Sequence, residues 1–387
     1  MGQLDLRTGD EGICALPDAF TPQPPPHFAV RRIVLARGSL DTPEREAFVR
    51  RVCAAYPDVT VDEQLDTPHN RIDMGEMSPA ARHVAGKHTL VFGVLERAVR
   101  VSEEAGNCCP NYWHFSVYGF CPYGCTYCYL AGTQGVWFSP SVKIYVNLPQ
   151  ILAEMGRIAR QRGGTTYFYH GKLQDGLALD PLTAYSTVMV PFFAKHPSAR
   201  QILLTKSATV ERLLTLEHRE RTSLSWSLNP PAVAECYERN VPCVASRIEA
   251  MKLCAAAGYP VRAVIMPLIP VGDWDVSYPA FVADLVTRVP LERLTIGGVC
   301  SAKQAVRLME HKLGPTNAIS ENMKCQSKGG DFRTRYSAEL CIAMYDSMIA
   351  SAREVRPDLE IGLCLESRGV CEAVHKRWRL GRCNCIP

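Results

Sequence analysis

Three cysteines carry the sharpest chemical signal in the chain. Cys121, Cys125 and Cys128 stand in CxxxCxxC spacing within WHFSVYGFCPYGCTYCYLAG, directly after a run that reads as a strand. Thiolate is the preferred soft ligand of an iron-sulfur cube, and a loop converges three such side chains more readily than a regular strand does. Three thiolates leave one iron of a cube without a protein ligand and so open to a substrate or cofactor. A structural zinc site takes four protein ligands, so the same loop would need a distant fourth partner. Gly119, Gly124 and Gly132 can relieve backbone crowding, and Tyr127 and Tyr129 flank the last cysteine, where they can cover a cofactor or pack in the core.

Other thiols are close-set as well. Cys108 and Cys109 are adjacent, and Cys383 and Cys385 close the chain in an RCNC sequence. Close thiols can capture a soft metal or metalloid, and they are equally read as oxidation-prone surface groups. Cys364 and Cys371 either join the terminal pair or fill the core. The tail VHKRWRLGRCNCIP sets Lys376, Arg377, Arg379 and Arg382 around Trp378. Such a surface suits phosphate and a stacked base, or else docks onto its own domain. Arg333, Arg335 and Tyr336 in DFRTRY form a second candidate for an anion and a ring.

The elements that must position these residues follow from composition and periodicity. The chain has 387 residues, 47% apolar and 21% charged, with a formal net charge of +4, so it is globular and its charge requires no polyanionic partner. No uninterrupted apolar span of 18 residues and no apolar signal core in MGQLDLRTGDE point to a cytoplasmic protein off the membrane. Seventeen cysteines, an odd number, are too sparse for a small disulfide scaffold. FTPQPPP ends a flexible arm over residues 1–27. FAVRRIVLA, the capped helix TPEREAFVRRVCAAY, VTVDEQL and HTLVFGVL make a small α/β unit over 28–111, with a supporting or gating role.

From residue 112 to 300 the strand candidates HFSVYG, TTYFYH, QILLT, SLSWSL, VRAVIM and LERLTIG alternate with helical windows at Leu148, Leu182, Thr209, Ser246 and Tyr278. Six β/α repeats predict a partial parallel (β/α)6 barrel, with a doubly wound open sheet as its competitor. Residues 301–387 are less regular and read as a cover over the barrel mouth with a cysteine-containing tail.

The CxxxCxxC loop, its following aromatic residue and the β/α context resemble the radical S-adenosylmethionine superfamily. Within it the chain resembles the spore photoproduct lyase family, through HNRI, KHTLVFGV, CPYGCTYCYL, SPSVKIYVN, LLTKS, SLNPP and SRIEAMKLCAAAGYPV, which together cover most of residues 28–345. The resemblance implies that Cys121, Cys125 and Cys128 hold a [4Fe-4S] cluster whose fourth iron binds S-adenosyl-L-methionine. It implies an external one-electron reductant as partner. It also nominates Asp175 for the ribose hydroxyls, Lys206 for the methionine carboxylate and Ser227 for a short hydrogen bond, with Tyr127 and Tyr129 as core or radical-shielding residues.

One position departs from the family. Its members return a hydrogen atom to the repaired thymine dimer through a cysteine, and YFYHGKLQDG places Lys172 where that cysteine is expected. An ammonium does not replace a thiol as a hydrogen-atom donor, so Lys172 reads as a solvated charge or a substrate-anion contact. The missing thiol and the extra cysteines favour transfer of a 3-amino-3-carboxypropyl group to a small soft acceptor, such as a trivalent arsenical on Cys383 and Cys385. The alternative is a 5′-deoxyadenosyl-radical enzyme acting on DNA.

Overall fold

The computed structural model describes residues 14–104, 106–133, 136, 138–323, 325–326 and 333–387. The first half of the expected arm, residues 1–13, and the start of DFRTRY lie outside these residues.

Strand β1 (Arg32–Ala36) is apolar after its first residue because it lies inside a parallel sheet, between β2 (Thr60–Gln64) and β3 (Thr89–Gly93). β2 is the sheet edge and correspondingly polar. The helix Pro43–Cys53 that links β1 and β2 starts where the Thr42 hydroxyl accepts from the Arg45 amide at 3.2 Å, with Pro43 in the first turn and Glu44 and Glu46 at its positive end. The unit does not stop at residue 111. After the second sheet has begun with β4 (Val99–Ser102) and β5 (Tyr112–Phe115), the chain returns to the first through β6 (Tyr118–Gly119) and β8 (Val142–Tyr145), giving the order β2-β1-β3-β8-β6. The cluster loop lies between these last two strands, so both its ends are anchored in the first sheet. Within it, β7 (Gly124–Cys125) pairs antiparallel with β12 (Glu238–Arg239).

The second sheet is the partial barrel. β4 pairs antiparallel with β5, and from β5 onward all pairs are parallel through β9 (Thr166–His170), β10 (Ala199–Thr205), β11 (Thr222–Ser227), β13 (Val261–Ile265), β14 (Arg293–Ile296) and β18 (Glu360–Leu363). The six expected strands are adjacent in the expected order. A seventh parallel strand, β18, comes from the segment read as a cover, after the helix Ala338–Val355. The rest of that segment adds a small antiparallel sheet of β15 (Cys300–Ala302), β16 (Cys325–Gln326) and β17 (Arg333–Arg335).

Two helical expectations are corrected. The window at Thr209 yields only a turn of 3₁₀ helix, Leu213–Thr215, where the amides of Leu213 and Leu216 donate three residues back, to the carbonyls of Val210 and Leu213. The window at Leu182 breaks into Asp180–Thr183 and Ser186–Lys195 at Ala184, which has a left-handed φ of 51°. The buried Asp180 carboxylate restarts the helix by accepting from both the amide and the hydroxyl of Ser186.

Alternation along the strands separates two environments. Leu203, Leu224, Trp226, Ala263, Ile265, Leu294 and Ile296 join the large core under the helices. The opposite face carries Ile202, Leu204, Ser225, Ser227, Arg262 and Arg293, and the C-terminal tail packs against it. Ser225 donates to the Asn384 amide oxygen at 2.8 Å, and the Arg262 and Arg293 guanidiniums donate to the carbonyls of Asn384, Cys383 and Ile386. The tail reaches this position by running along β18, so closely that a Cβ on Gly362 would stand 2.0 Å from the Arg382 carbonyl oxygen. Only glycine permits that approach.

Candidate active site

Cys121, Cys125 and Cys128 come from one short loop, and their backbone is held from both sides. Lys87 reaches in from the N-terminal unit and donates to the carbonyls of Cys121 and Tyr123 at 2.5 and 2.6 Å, while its ammonium lies 3.7 Å from the centre of the Phe120 ring. On the barrel side, β7 pairs Cys125 with Glu238. Burial pushes the Cys125 thiol up to about 12, with Glu238 adding to the rise and Lys206 opposing it. The Cys121 thiol is likewise raised by burial and lowered by Lys87. These protons would leave on coordination of a cation. Three soft donors, with Lys87 and Lys312 in electrostatic reach of them, fit an anionic thiolate cluster with an open fourth position.

The network beside this loop is centred on a residue that sequence reading missed. Glu238 is buried, and it holds two of the nominated side chains directly and a third through Lys206. The Lys206 ammonium stands 3.1 Å from Glu238 Oε1 and donates to Ser227 Oγ at 2.5 Å, while the Tyr127 hydroxyl donates to the same carboxylate oxygen. The buried Arg247 guanidinium closes on Oε2 at 2.5 Å. Burial alone pushes the Glu238 carboxyl up, but Lys206 and Arg247, with the hydrogen bonds from Tyr127 and Arg247, outweigh it and bring the group down to about 2. Two cations against one carboxylate leave one positive charge over, next to Cys125. Only the family segments SLNPP and SRIEAMK, which flank this stretch, hinted at Glu238 and Arg247.

Asp175 sits differently from the expectation. One of its carboxylate oxygens accepts from the amides of Leu177 and Ala178 and from the Thr205 hydroxyl, and the other accepts from the Lys206 amide at 2.6 Å. Four donors from the chain itself engage the group, three on Oδ1 and one on Oδ2, so in this structure it fixes the loop after β9 and the backbone of Lys206.

Lys172 is not a solvated charge. Its ammonium pairs with the buried Glu104 at 2.8 Å, donates to Ser102 and lies 5.3 Å from the Tyr112 ring centre. Arg333 completes the pair from β17, 3.0 Å from the other Glu104 oxygen. Tyr129, on the cluster loop, donates its hydroxyl to the Lys172 carbonyl. The family's donor position is therefore an organised cationic corner.

Cys383 and Cys385 are buried inside the barrel rather than carried on a loose end, with their sulfurs 3.7 Å apart. Cys364, at the end of β18, and Cys109 join them. Cys108 does not, because it is bonded to Cys371. The basic tail docks on its own domain: Trp378 and Arg377 both donate to Asp346, and Arg382 chelates Glu360. Arg335 donates to Asn107 at 2.7 Å, and Tyr336 is buried.

A partial parallel barrel with three cysteines in CxxxCxxC spacing on the connection that follows its first parallel strand is the arrangement of a radical S-adenosylmethionine enzyme. The family profile described as spore photoproduct lyase matches residues 40–332, and the chain belongs to that family, whose chemistry is of the lyase type. Curated relatives include the spore photoproduct lyase of Clostridium acetobutylicum, 25% identical over 64% of this chain and 71% of the relative. That of a Geobacillus species is 26% identical over 72% and 82%. Among solved structures, spore photoproduct lyase complexed with dinucleoside spore photoproduct shares the fold with a TM-score of 0.75 and 22% identity, over 87% of this chain and 99% of that one. A variant of the same enzyme with bound AdoMet and dinucleoside spore photoproduct has a TM-score of 0.74 and 22% identity, over 86% and 98%. Among the described residues no helix is long and apolar enough to cross a membrane.

Proposed function

We propose that this chain is a radical lyase acting on a cross-linked pyrimidine lesion of DNA, with S-adenosylmethionine seated between the Cys121 to Cys128 loop and the Glu238 network. The observation that carries the reading is the β7–β12 pairing, which joins the thiol loop to a buried network with one positive charge in excess. When bound, the cluster and S-adenosylmethionine supply one electron and a carbon-centred radical. Lys206 is the group placed for the methionine carboxylate, oriented by Ser227 and Glu238. Tyr127 holds Glu238, and Arg247 keeps it ionised.

At the substrate end, Lys172 and Arg333 against Glu104 again leave one positive charge over, which suits the phosphate of a dinucleotide. Solved relatives that carry a dinucleoside spore photoproduct support this substrate class. A second reading, aminocarboxypropyl transfer to a trivalent arsenical, rests on Lys172 in place of the family thiol and on the thiols gathered near Tyr129.

Product analysis decides between them. The anaerobically reconstituted enzyme is given an external one-electron reductant, labelled S-adenosylmethionine and either dinucleoside spore photoproduct or arsenite. The expected result is 5′-deoxyadenosine with restored thymines, the thymine radical left after bond scission being quenched by a second electron from the external reductant and a solvent proton, since Lys172 donates no hydrogen atom. Accumulation of 5′-methylthioadenosine with labelled carbon on arsenic, and no thymine, would replace the first reading by the second.

A further inference from the structure

Four thiols from three distant parts of the chain meet inside the barrel. The Cys109, Cys364 and Cys383 sulfurs all lie within 4.8 Å of one another; Cys385 stands outside that group but brings a fourth sulfur 3.7 Å from that of Cys383, within reach of the same ion after a small shift of the tail. Cys364, Cys383 and Cys385 are buried, and Cys109 is partly buried. They pack against Tyr112 and Tyr169 and against Ile202 on the inner face of β10. The Leu365 amide donates to the Cys109 sulfur at 3.2 Å, a contact that suits a thiolate. The lyase reading uses none of these groups.

We infer that Cys109, Cys364, Cys383 and Cys385 bind a single tetrahedral zinc ion that pins the C-terminal tail inside the barrel. The spacing selects one ion over a cluster. Metal-sulfur bonds of about 2.3 Å in a tetrahedron require sulfurs about 3.8 Å apart, and the Cys383–Cys385 pair already stands at 3.7 Å. A four-iron cube places its ligands on different irons and holds them farther apart. Among the described residues Cys121, Cys125 and Cys128 do not gather within 4.8 Å, whereas Cys109, Cys364 and Cys383 do.

Charge fits as well. Four thiols binding Zn²⁺ release four protons and leave a complex of charge −2. Arg262, Arg293 and Arg382 against Glu292 and Glu360 leave one positive charge over, which offsets part of it. With four protein ligands the ion has no open position, so its role is structural: it holds the tail behind Tyr129, whose hydroxyl lies in electrostatic reach of Cys128 on one side and of Cys364 and Cys385 on the other.

The test uses the full chain with Cys121, Cys125 and Cys128 all changed to Ala, so that the radical cluster cannot contribute metal and failure of the lyase reading has no bearing on the outcome. Elemental analysis and zinc-edge absorption spectroscopy are expected to show one zinc per chain with four sulfur neighbours. Adding Cys383→Ser and Cys385→Ser should remove it, whereas Cys236→Ser, at an exposed cysteine, should not. If the tail variants do not fold, cobalt(II) exchange into the parent protein still decides, through the spectrum of a tetrathiolate ion. Iron with labile sulfide in place of zinc, protein that folds with no metal, or zinc with mixed ligands would each overturn the assignment. So would displacement of the metal by stoichiometric arsenite, which would make these thiols an acceptor site.

Discussion

The two thiol centres of this molecule are built in opposite ways. Cys121, Cys125 and Cys128 lie on one loop and hold three donors toward an open position, whereas Cys109, Cys364, Cys383 and Cys385 are brought from both ends of the chain and close on one another. The first arrangement suits exchange of a ligand at the metal; the second suits permanence. Their surroundings differ accordingly. The open centre borders the Glu238 network with its surplus positive charge, and the closed one is wrapped by tail carbonyls that Arg262 and Arg293 hold in place.

The largest effect expected is at the open centre. Changing Cys121, Cys125 or Cys128 singly to Ala should abolish cluster iron and reductive cleavage of S-adenosylmethionine, read by iron and sulfide analysis and by electron paramagnetic resonance. A normal cluster in all three variants would erase the contrast between the centres. Glu238→Gln comes next. It leaves two buried cations without their carboxylate, and loss of one partner of a buried pair costs about 3–5 kcal/mol, measurable by denaturant unfolding. A Lys206→Met variant should instead weaken cofactor binding while keeping more of the stability, which separates the binding role from the scaffold role.

The same carboxylate predicts a pH dependence. Glu238 is held near 2 in the fold against an ordinary value of 4.5, so its contribution is fully present above the ordinary value and is lost as pH falls from about 4.5 through about 2. Acid unfolding of Glu238→Gln should lack that component, and an identical acid limb in both proteins would show that the network is not what acid breaks.

At the closed centre, Gly362→Ala drives a methyl group into the Arg382 carbonyl and should cost about 1–3 kcal/mol by overpacking, with partial loss of metal from the tail site but not from the loop. Loss from both together would mean that the centres are not independent. The smallest effect is at the surface: Arg377→Ala removes an ion pair with Asp346 in which the arginine is 60% exposed, and should change stability by less than about 1 kcal/mol.

How much of this was legible in the sequence depended on range. The barrel strands were readable from alternating apolar runs, because strand periodicity is local. β18 was not, because the long segment between β14 and its short Glu360–Leu363 run breaks the repeat. Lys206, Ser227 and Tyr127 could be nominated from family segments, but Glu238, on which Lys206 and Tyr127 converge, sits in a two-residue strand with no periodicity to mark it. Asp175 carried the right type of group for a ribose, and only the loop geometry showed its oxygens engaged by donors of the chain itself.

By itself the sequence nominated the open centre, since three cysteines in one loop can be read as candidate ligands without knowledge of the fold. It also determined that the chain alternates strand and helix, and that Lys172 stands where a thiol is expected. Tertiary structure alone decided that Lys172 is anchored by Glu104, that Cys108 and Cys109 part company, and that the terminal RCNC turns inward to meet Cys109 and Cys364. The physical reason is that spacing along the chain encodes only what a loop or one strand can bring together. Contacts between residues as far apart as 109 and 385 are set by strand order, by the close approach at Gly362 and by buried guanidiniums that hold the tail's carbonyls inside the barrel.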